Sequence, residues 1–209
     1  MTLYLGSQRV CPTITVGEPT YYPRTVENGV LKSTPISSFE TDDNITAIGS
    51  YGLACAFSYN TTLTSINLNN VETIGEGGCR LLCNYSNITT LTLPNVTALT
   101  GSTCFDTAFA GTPITTITFS KLESMAGYSV NQLGYGVYST FSIYFPSLKP
   151  ENFQSDNNQF YRMLYRCYGT TTVHFPSNFQ SIIGDWSVVV GGFNTSGSAT
   201  VLFDLPAST

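Results

Sequence analysis

The sequence predicts a solenoid, in which short parallel β-strands from successive coils stack into one sheet. Three observations predict this fold. A short phrase recurs six times along the chain, and its clearest copies read "ITTLTLPNVTALT" and "ITTITFSKLESMA". The copies are spaced by 25, 26, 26, 30 and 28 residues, and a steady period in this range is typical of repeat architectures. Within each copy the residues alternate apolar, polar and apolar, which is the pattern of a half-buried strand.

The first 35 residues are predicted to form an atypical N-terminal capping segment, and the solenoid is expected to fill residues 36–209 with about six to seven repeats. In the cap, two short runs flank the dipeptide Gly6-Ser7, namely Leu3–Leu5 and Gln8–Val10. This arrangement is typical of a tight β-hairpin. Terminal segments of solenoids are often atypical because they cover the end of the stack.

The repeats begin with a degenerate unit. The segment "NITAIGSYG" aligns with "NVETIGEGG", which places Ile48 26 residues before Ile74 and predicts a first strand near Glu40. Six regular strands follow, each with two apolar anchors that are expected to enter the core. The first anchors are Ile66, Leu91, Ile117, Ile143, Val173 and Val201, and the second anchors are Leu68, Leu93, Phe119, Phe145, Phe175 and Phe203.

The segments that return from one strand to the next are predicted to be short helices or turns. In "DNNQFYRMLYRCYG", four apolar residues between Phe160 and Cys167 follow helical spacing. Asp156 suits the N-cap position and Gly169 suits the end of the element, so the sequence predicts a helix here. Long elements opposite short strands bend a stack of coils. The sheet is therefore expected on the concave side and the helices or turns on the convex side.

The repeated phrases and the Ile74-Gly75 pair resemble the leucine-rich repeat class, in particular its BspA-like bacterial subfamily, over roughly residues 40–205. The resemblance implies an α/β solenoid that winds as a right-handed superhelix with one parallel sheet. It also implies binding of proteins or glycans at the surfaces of bacteria or their parasites, and no enzymatic activity. The chain departs from the subfamily's usual Ala-Phe pair and following Cys, for which the nearest match is "TCFDTAF" around Cys104–Phe109.

Composition narrows the class of protein. Only 10% of the residues are charged, well below the usual quarter or so, so Thr, Ser, Asn and Tyr must supply the polar surface. This composition is typical of extracellular, cell-surface or virion proteins, although the N-terminus carries no recognisable signal peptide. The net charge is −5 and no basic run occurs, so nucleic-acid binding is not predicted. No apolar run has the length of a membrane span, so membrane insertion is not predicted.

Catalytic and metal chemistry is not predicted either, and no cofactor is expected. The only histidine, His174, lies between two anchors and should point out of the sheet, away from any buried catalytic triad. Cys79 and Cys83 form a CxxxC pair without the further ligands of a metal site. Most of the six cysteines are expected to be buried and reduced. Cys79 and Cys104 share a repeat position, so they are the one pair for which a disulfide stays open.

The outward side of the sheet is the candidate ligand-binding surface. Its predicted residues, which lie between the two anchors of each strand, are Asn67, Thr92, Thr118, Tyr144 and His174. Threonine is a favoured residue of solvated strands, so one interpretation is that these outward residues are ordinary sheet surface. The other is that Tyr144 and His174 anchor a ligand, because tyrosine offers a large contact area at a low entropic cost.

Two classes of function fit these observations. One is a non-catalytic binding module of the adhesin type that recognises a protein or a glycan. The alternative is a structural phage-virion or tail-associated protein that uses the solenoid for assembly. The apparent last strand, Val201–Phe203, is followed by no predicted capping helix. Self-association through this edge strand is therefore also expected.

Overall fold

The computed structural model describes residues 3–5, 8–11, 24–27, 30–33, 36–41, 43–153, 158–179 and 198–207. These residues form short strands, turns and two 3-10 helices, Pro150–Asn152 and Ser177–Phe179. In chain order the strands are β1 (Leu3–Leu5), β2 (Gln8–Cys11), β3 (Arg24–Glu27), β4 (Val30–Ser33), β5 (Ser38–Glu40), β6 (Ala47–Ile48), β7 (Ser65–Asn67), β8 (Thr73–Ile74), β9 (Thr90–Thr92), β10 (Ala98–Leu99), β11 (Thr116–Thr118), β12 (Ser124–Met125), β13 (Phe141–Tyr144), β14 (Thr170–Pro176) and β15 (Ser198–Leu205).

The first four strands form two antiparallel pairs. Strand β1 pairs with β2, which confirms the hairpin predicted around Gly6-Ser7. Strand β3 pairs with β4, with Val26 opposite Leu31. The second pair goes beyond the prediction, although the Asn28-Gly29 dipeptide between its strands is a strong sequence signal for a two-residue hairpin loop. The division of the chain at residue 35 stays a prediction.

The remaining strands build a solenoid of parallel strands, as the repeat predicts. The main sheet contains β5, β7 and β9 in one hydrogen-bonded group and β11, β13, β14 and β15 in another. Strand β5 lies where the first strand is expected, near Glu40. Register follows the repeat, since Ile117 lies opposite Ile143 and Ile143 lies opposite Val173. A second parallel sheet, formed by the two-residue strands β6, β8, β10 and β12, was not predicted.

Apolar anchors from every coil fill the interior, as predicted. All six regular strands direct both anchors inward, and only Val201 and Phe203 at the last strand are partly exposed. The rings of the second anchors stack along the solenoid. Their centroids are 5.1 Å apart between Phe119 and Phe145, 5.4 Å between Phe145 and Phe175, and 6.1 Å between Phe175 and Phe203.

The remaining side of each coil is a run of tight turns, so the helix predicted in "DNNQFYRMLYRCYG" is wrong over its described residues. The N–H groups of Tyr161 and Met163 bond to the carbonyl groups three residues earlier, whereas an α-helix bonds four residues back. Carbonyls of the run also accept hydrogen bonds from the preceding coil, where Gly134 N–H donates to the carbonyl of Met163. The apolar residues from Phe160 to Cys167 are buried as expected. A turn that repeats every four residues buries them at nearly the same spacing as a helix.

These runs hold the backbone in the left-handed region at every fourth residue. In the first described run the φ angles of Tyr51, Cys55 and Tyr59 are 56°, 55° and 59°. The matching positions in later coils are Gly77, Leu81, Tyr85, Thr103, Thr107, Gly111, Tyr128, Gln132, Gly136, Asn158, Arg162 and Arg166. None of the non-glycine residues among them is buried. The turn runs therefore present these side chains on the surface. We will call this side of the solenoid the turn face.

No described residue lies in an α-helix, so the short helices or turns predicted between the strands of the main sheet are turns, short strands and the two 3-10 helices wherever the structure describes them. Within the same residues we find no helix with the length and apolar character needed to span a membrane.

Candidate functional site

The outward side of the main sheet brings Tyr144 and His174 together. The two residues lie directly opposite each other on β13 and β14. Adjacent parallel strands are separated by about 4.8 Å, so aromatic side chains at opposed positions can stack. The phenol and imidazole rings are nearly parallel, with centroids 4.2 Å apart and an angle of 9° between their planes. Each ring therefore restricts the rotation of the other.

Asp204 on β15 adds a carboxylate to this pair. Both of its carboxylate oxygens lie 2.9 Å from Nδ1 of His174. A carboxylate accepts hydrogen bonds, so Nδ1 carries the proton in this contact and Nε2 of a neutral imidazole is an acceptor. The side chain of His174 is 13% exposed and that of Asp204 is 47% exposed. The site thus combines a largely covered imidazole with a solvated anionic group.

The other predicted site residues also lie on the outward side of the main sheet. Thr118 lies opposite Tyr144, so Thr118, Tyr144 and His174 form one row across three neighbouring strands. Asn67 and Thr92 lie opposite each other on β7 and β9, which belong to the other hydrogen-bonded group of strands. The structure therefore joins three of the five predicted residues directly and places the other two further along the same sheet.

The side chain of Asn67 contacts the adjacent coil rather than the ring stack. Its side-chain nitrogen donates to Oε1 of Glu40 at 3.1 Å, and Asn69 donates to the same oxygen. The amide of Asn67 is thus held by the adjacent coil. This part of the surface is a polar network between side chains, whereas the Tyr144 end presents rings.

Asp204 was missed by sequence reasoning. The signal for it was present, because the alternation of Val201, Phe203 and Leu205 places Leu202 and Asp204 on the outward side. The predicted strand ended at Phe203, one residue before Asp204. Strand β15 runs to Leu205 and its exposure alternates along its whole length.

The site pairs an imidazole with a carboxylate. A histidine paired with a carboxylate is also the base of a catalytic triad. Among the described residues, however, no hydroxyl or thiol forms a hydrogen bond with His174. The described residues also hold no group of three His, Cys, Asp or Glu side chains that suits a metal ion.

The described cysteines form no disulfide, and the Cys79–Cys104 pair considered from the sequence is not bridged. Cys79, Cys83, Cys104 and Cys167 are buried and Cys55 is partly exposed. Burial raises the pKa of the Cys79 thiol well above its usual range and that of Cys104 to about 11. The reactive thiolate form is therefore disfavoured at neutral pH, which argues against a nucleophilic role for these thiols.

Comparisons of the chain with family models, with curated proteins and with solved structures found no match.

Proposed function

We propose that the protein is a non-catalytic binding module that recognises a protein or a glycan through the outward side of its main sheet, in the manner of a surface adhesin domain. The observation that carries this proposal is the Tyr144–His174 stack with Asp204 bound to Nδ1 of the imidazole. Rings that are fixed before binding lose little side-chain entropy when a ligand arrives.

The polar atoms of the site favour a ligand with hydroxyl or amide groups. Nε2 of a neutral His174 accepts a hydrogen bond, and the half-exposed carboxylate of Asp204 accepts others. Thr118, next to Tyr144 in the row, adds a hydroxyl group that both donates and accepts. A sugar or an exposed peptide segment meets these requirements.

The finer architecture is part of the same proposal. We infer a leucine-rich-repeat-like, right-handed superhelix of the BspA-like kind, with the main sheet on the concave side. The support is the period of 25 to 30 residues and the paired anchors of each strand.

A screen of glycan and protein arrays tests the binding proposal. The wild-type chain is compared with the Tyr144→Ala/His174→Ala double variant. The Thr90→Ala/Thr116→Ala double variant is the matched control, because it changes two exposed residues of the same sheet away from the ring stack. We expect the ring variant to lose its array ligand and the control to keep it. Equal binding by all three proteins would contradict the proposal.

A structural role in a virion or tail is the alternative, and the edge of β15 favours it. This strand pairs with β14 on one side, and no described strand pairs with its other side. An open edge can add a strand from a second chain. Sedimentation at micromolar concentration tests self-association, with Thr200→Lys on β15 as the variant expected to break it. A monomeric wild-type chain would rule out assembly through this edge.

A further inference from the structure

The turn face carries a cluster of tyrosine and arginine side chains, which we call the Tyr–Arg cluster and define as Tyr135, Tyr161, Arg162, Tyr165 and Arg166. The guanidinium carbon of Arg162 lies 4.9 Å from the ring centroid of Tyr161 and 5.3 Å from that of Tyr165. The guanidinium carbon of Arg166 also lies 5.3 Å from the Tyr165 centroid. Both guanidinium groups therefore contact the ring of Tyr165. Their carbon atoms are no further apart than twice 5.3 Å.

Two coils contribute to the cluster. Nη1 of Arg166 donates to the hydroxyl oxygen of Tyr135 in the preceding coil at 3.3 Å. The rings of Tyr135 and Tyr165 are 6.3 Å apart, and Tyr128 of the preceding coil meets Tyr161 edge to face at 5.3 Å. The cluster is thus a continuous surface across neighbouring coils and is held together by side-chain contacts.

The local backbone explains why these residues face solvent. Arg162 and Arg166 occupy left-handed positions of the turn run, with φ angles of 51° and 53°, and both are exposed. The aliphatic residues between them, Met163 and Leu164, are fully buried. The surface therefore presents tyrosine rings and guanidinium groups without an aliphatic pocket.

In the part of the chain that the structure describes, no carboxylate neutralises either guanidinium. Among the described residues, Arg80 pairs with Asp106 and Lys149 pairs with Glu123, but no acidic side chain lies within 4.0 Å of Arg162 or Arg166. The hydrogen bond with Tyr135 raises the pKa of Arg166, so this group keeps its charge. A contact with a ring face leaves N–H donors of a guanidinium available, and the fork geometry of these donors matches carboxylate and sulfate groups.

We propose that the Tyr–Arg cluster binds an anionic polysaccharide. The two guanidinium groups take its sulfate or carboxylate groups, and the tyrosine rings pack against its sugar rings. This site is separate from the one on the main sheet. The chain has 13 acidic residues against 8 basic ones, so an acidic polymer is repelled by most of the surface and finds here two cations that no described carboxylate neutralises.

A polysaccharide fits better than an acidic protein segment. Tyrosine and arginine are also common anchors of protein interfaces, but there they fill pockets at a well-packed, desolvated centre. The Tyr–Arg cluster offers flat rings and charges, with its aliphatic neighbours covered by the coil. Flat rings suit the C–H faces of sugars, and the extension over two coils suits a chain of several sugar units.

The test measures the affinity of the full chain for immobilised polymers at low and at physiological ionic strength. Heparin presents sulfate groups, polygalacturonate presents carboxylate groups, dextran is neutral, and polyglutamate is an acidic peptide. Arg166→Gln removes one charge of the cluster, and Tyr165→Leu removes the shared ring. Lys121→Gln is the control, because Lys121 is an exposed cation whose Nζ donates to Asn95 away from the cluster.

We expect heparin or polygalacturonate to bind and dextran to fail. Arg166→Gln should weaken binding about tenfold, the size expected for loss of a charge-assisted hydrogen bond. Tyr165→Leu should weaken binding about threefold, because it removes the ring that holds both guanidinium groups. Lys121→Gln should bind as the wild type does. The difference between heparin and polygalacturonate identifies the acidic group. Equal losses in Arg166→Gln and Lys121→Gln, stronger binding to polyglutamate, or no binding to any acidic polymer would each overturn the proposal.

The variants also keep the two sites distinguishable. Tyr144→Ala/His174→Ala changes the main sheet and should leave binding of the anionic polymer unchanged. If this double variant loses anionic binding while Arg166→Gln keeps it, the polymer binds the sheet and the inference about the turn face is wrong.

Discussion

Nδ1 of His174 lies 2.9 Å from both carboxylate oxygens of Asp204, although the two residues are separated by 30 positions in the chain. The contact joins the last two strands of the main sheet and fixes which imidazole nitrogen carries the proton. It also aims Nε2 away from the carboxylate. The candidate site therefore depends on a residue of β15.

The tautomer of His174 is the first prediction. His174 is the only histidine, so its imidazole signals in a nitrogen-15 NMR spectrum need no assignment by mutation. We expect the neutral wild-type ring to carry its proton on Nδ1. Asp204→Ala removes the hydrogen-bond acceptor of Nδ1, so the ring should shift towards the tautomer with the proton on Nε2. The imidazole should also rotate more freely.

Glu72→Ala is the matched control for this experiment, since it removes one exposed carboxylate elsewhere on the molecule. It should leave the histidine spectrum unchanged. The stability of Asp204→Ala should fall by less than about 1 kcal/mol, because a partly solvated polar contact of this kind contributes little. An unchanged tautomer in Asp204→Ala would contradict the assigned contact.

The second prediction contrasts two adjacent residues on opposite sides of the sheet. Phe119 is fully buried and its ring packs against Phe145 and Phe105 at 5.1 and 5.6 Å. Phe119→Ala should lower the free energy of unfolding by about 3–5 kcal/mol, since it leaves a cavity in the stack. Thr118→Ala faces outward and should change stability by less than about 1 kcal/mol. Urea unfolding of both variants measures the difference, and similar losses would contradict the register.

Sequence reasoning succeeded where the signal was local. The alternation in Ile117-Thr118-Phe119 determines which side chains enter the core, and the period determines which strands become neighbours. It failed on the turn face because many of the hydrogen bonds there join different coils, such as the one from Gly134 N–H to the carbonyl of Met163. A turn run of this kind and a helix share the apolar spacing from Phe160 to Cys167. The decisive difference is therefore non-local.

The candidate site was also predicted only where the repeat provided a local signal. Tyr144 and His174 could be aligned from the repeat, so their contact followed from the period. Asp204 lies beyond the last anchor, where no further copy of the phrase defines the strand. The Tyr–Arg cluster was not predicted, because the sequence pattern assigns Arg162 and Arg166 to a helix. That assignment does not indicate which side chains of the preceding coil contact them.

The third prediction concerns the left-handed positions of the turn face. Thr103 has a φ of 55°, a region in which a β-branched residue is strained by about 1–2 kcal/mol. Glycine removes that strain but adds about 0.5–1 kcal/mol of backbone entropy to the unfolded chain. Thr103→Gly should therefore stabilise the protein slightly, by up to about 1.5 kcal/mol.

Thr92→Gly provides the comparison, since Thr92 lies in strand β9 and is exposed. Glycine there adds the same entropy without relieving strain, so this variant should lower the melting temperature while Thr103→Gly raises it. A loss of stability in Thr103→Gly as large as that in Thr92→Gly would show that the left-handed backbone of the turn run is not strained by its side chain.

The fourth prediction is a loss of stability at alkaline pH. Burial raises the pKa of Cys104 from 9.0 to about 11, and burial with the nearby Cys104 and Cys83 raises that of Cys79 well above 9.0. The folded protein keeps these thiols protonated where the unfolded chain releases their protons. The unfolded state then binds fewer protons, so the free energy of unfolding falls as the pH rises. The contribution is fully present below pH 9.0 and is lost progressively towards about pH 11 for Cys104.

Urea unfolding at neutral pH and at several values above pH 9.0 measures this loss. Cys104→Ala should show a shallower decline than the wild-type chain, because one of the coupled thiols no longer titrates. Its stability at neutral pH should be lower, since Cys104 packs in the core and its Sγ lies 3.0 Å from the Gly101 carbonyl. Thiol counting on denatured, unreduced protein should find at least the five free thiols of the described cysteines. A free energy of unfolding that does not change with pH, together with fewer free thiols, would mean that these cysteines are oxidised. That result would contradict the packing of neutral thiols between the coils.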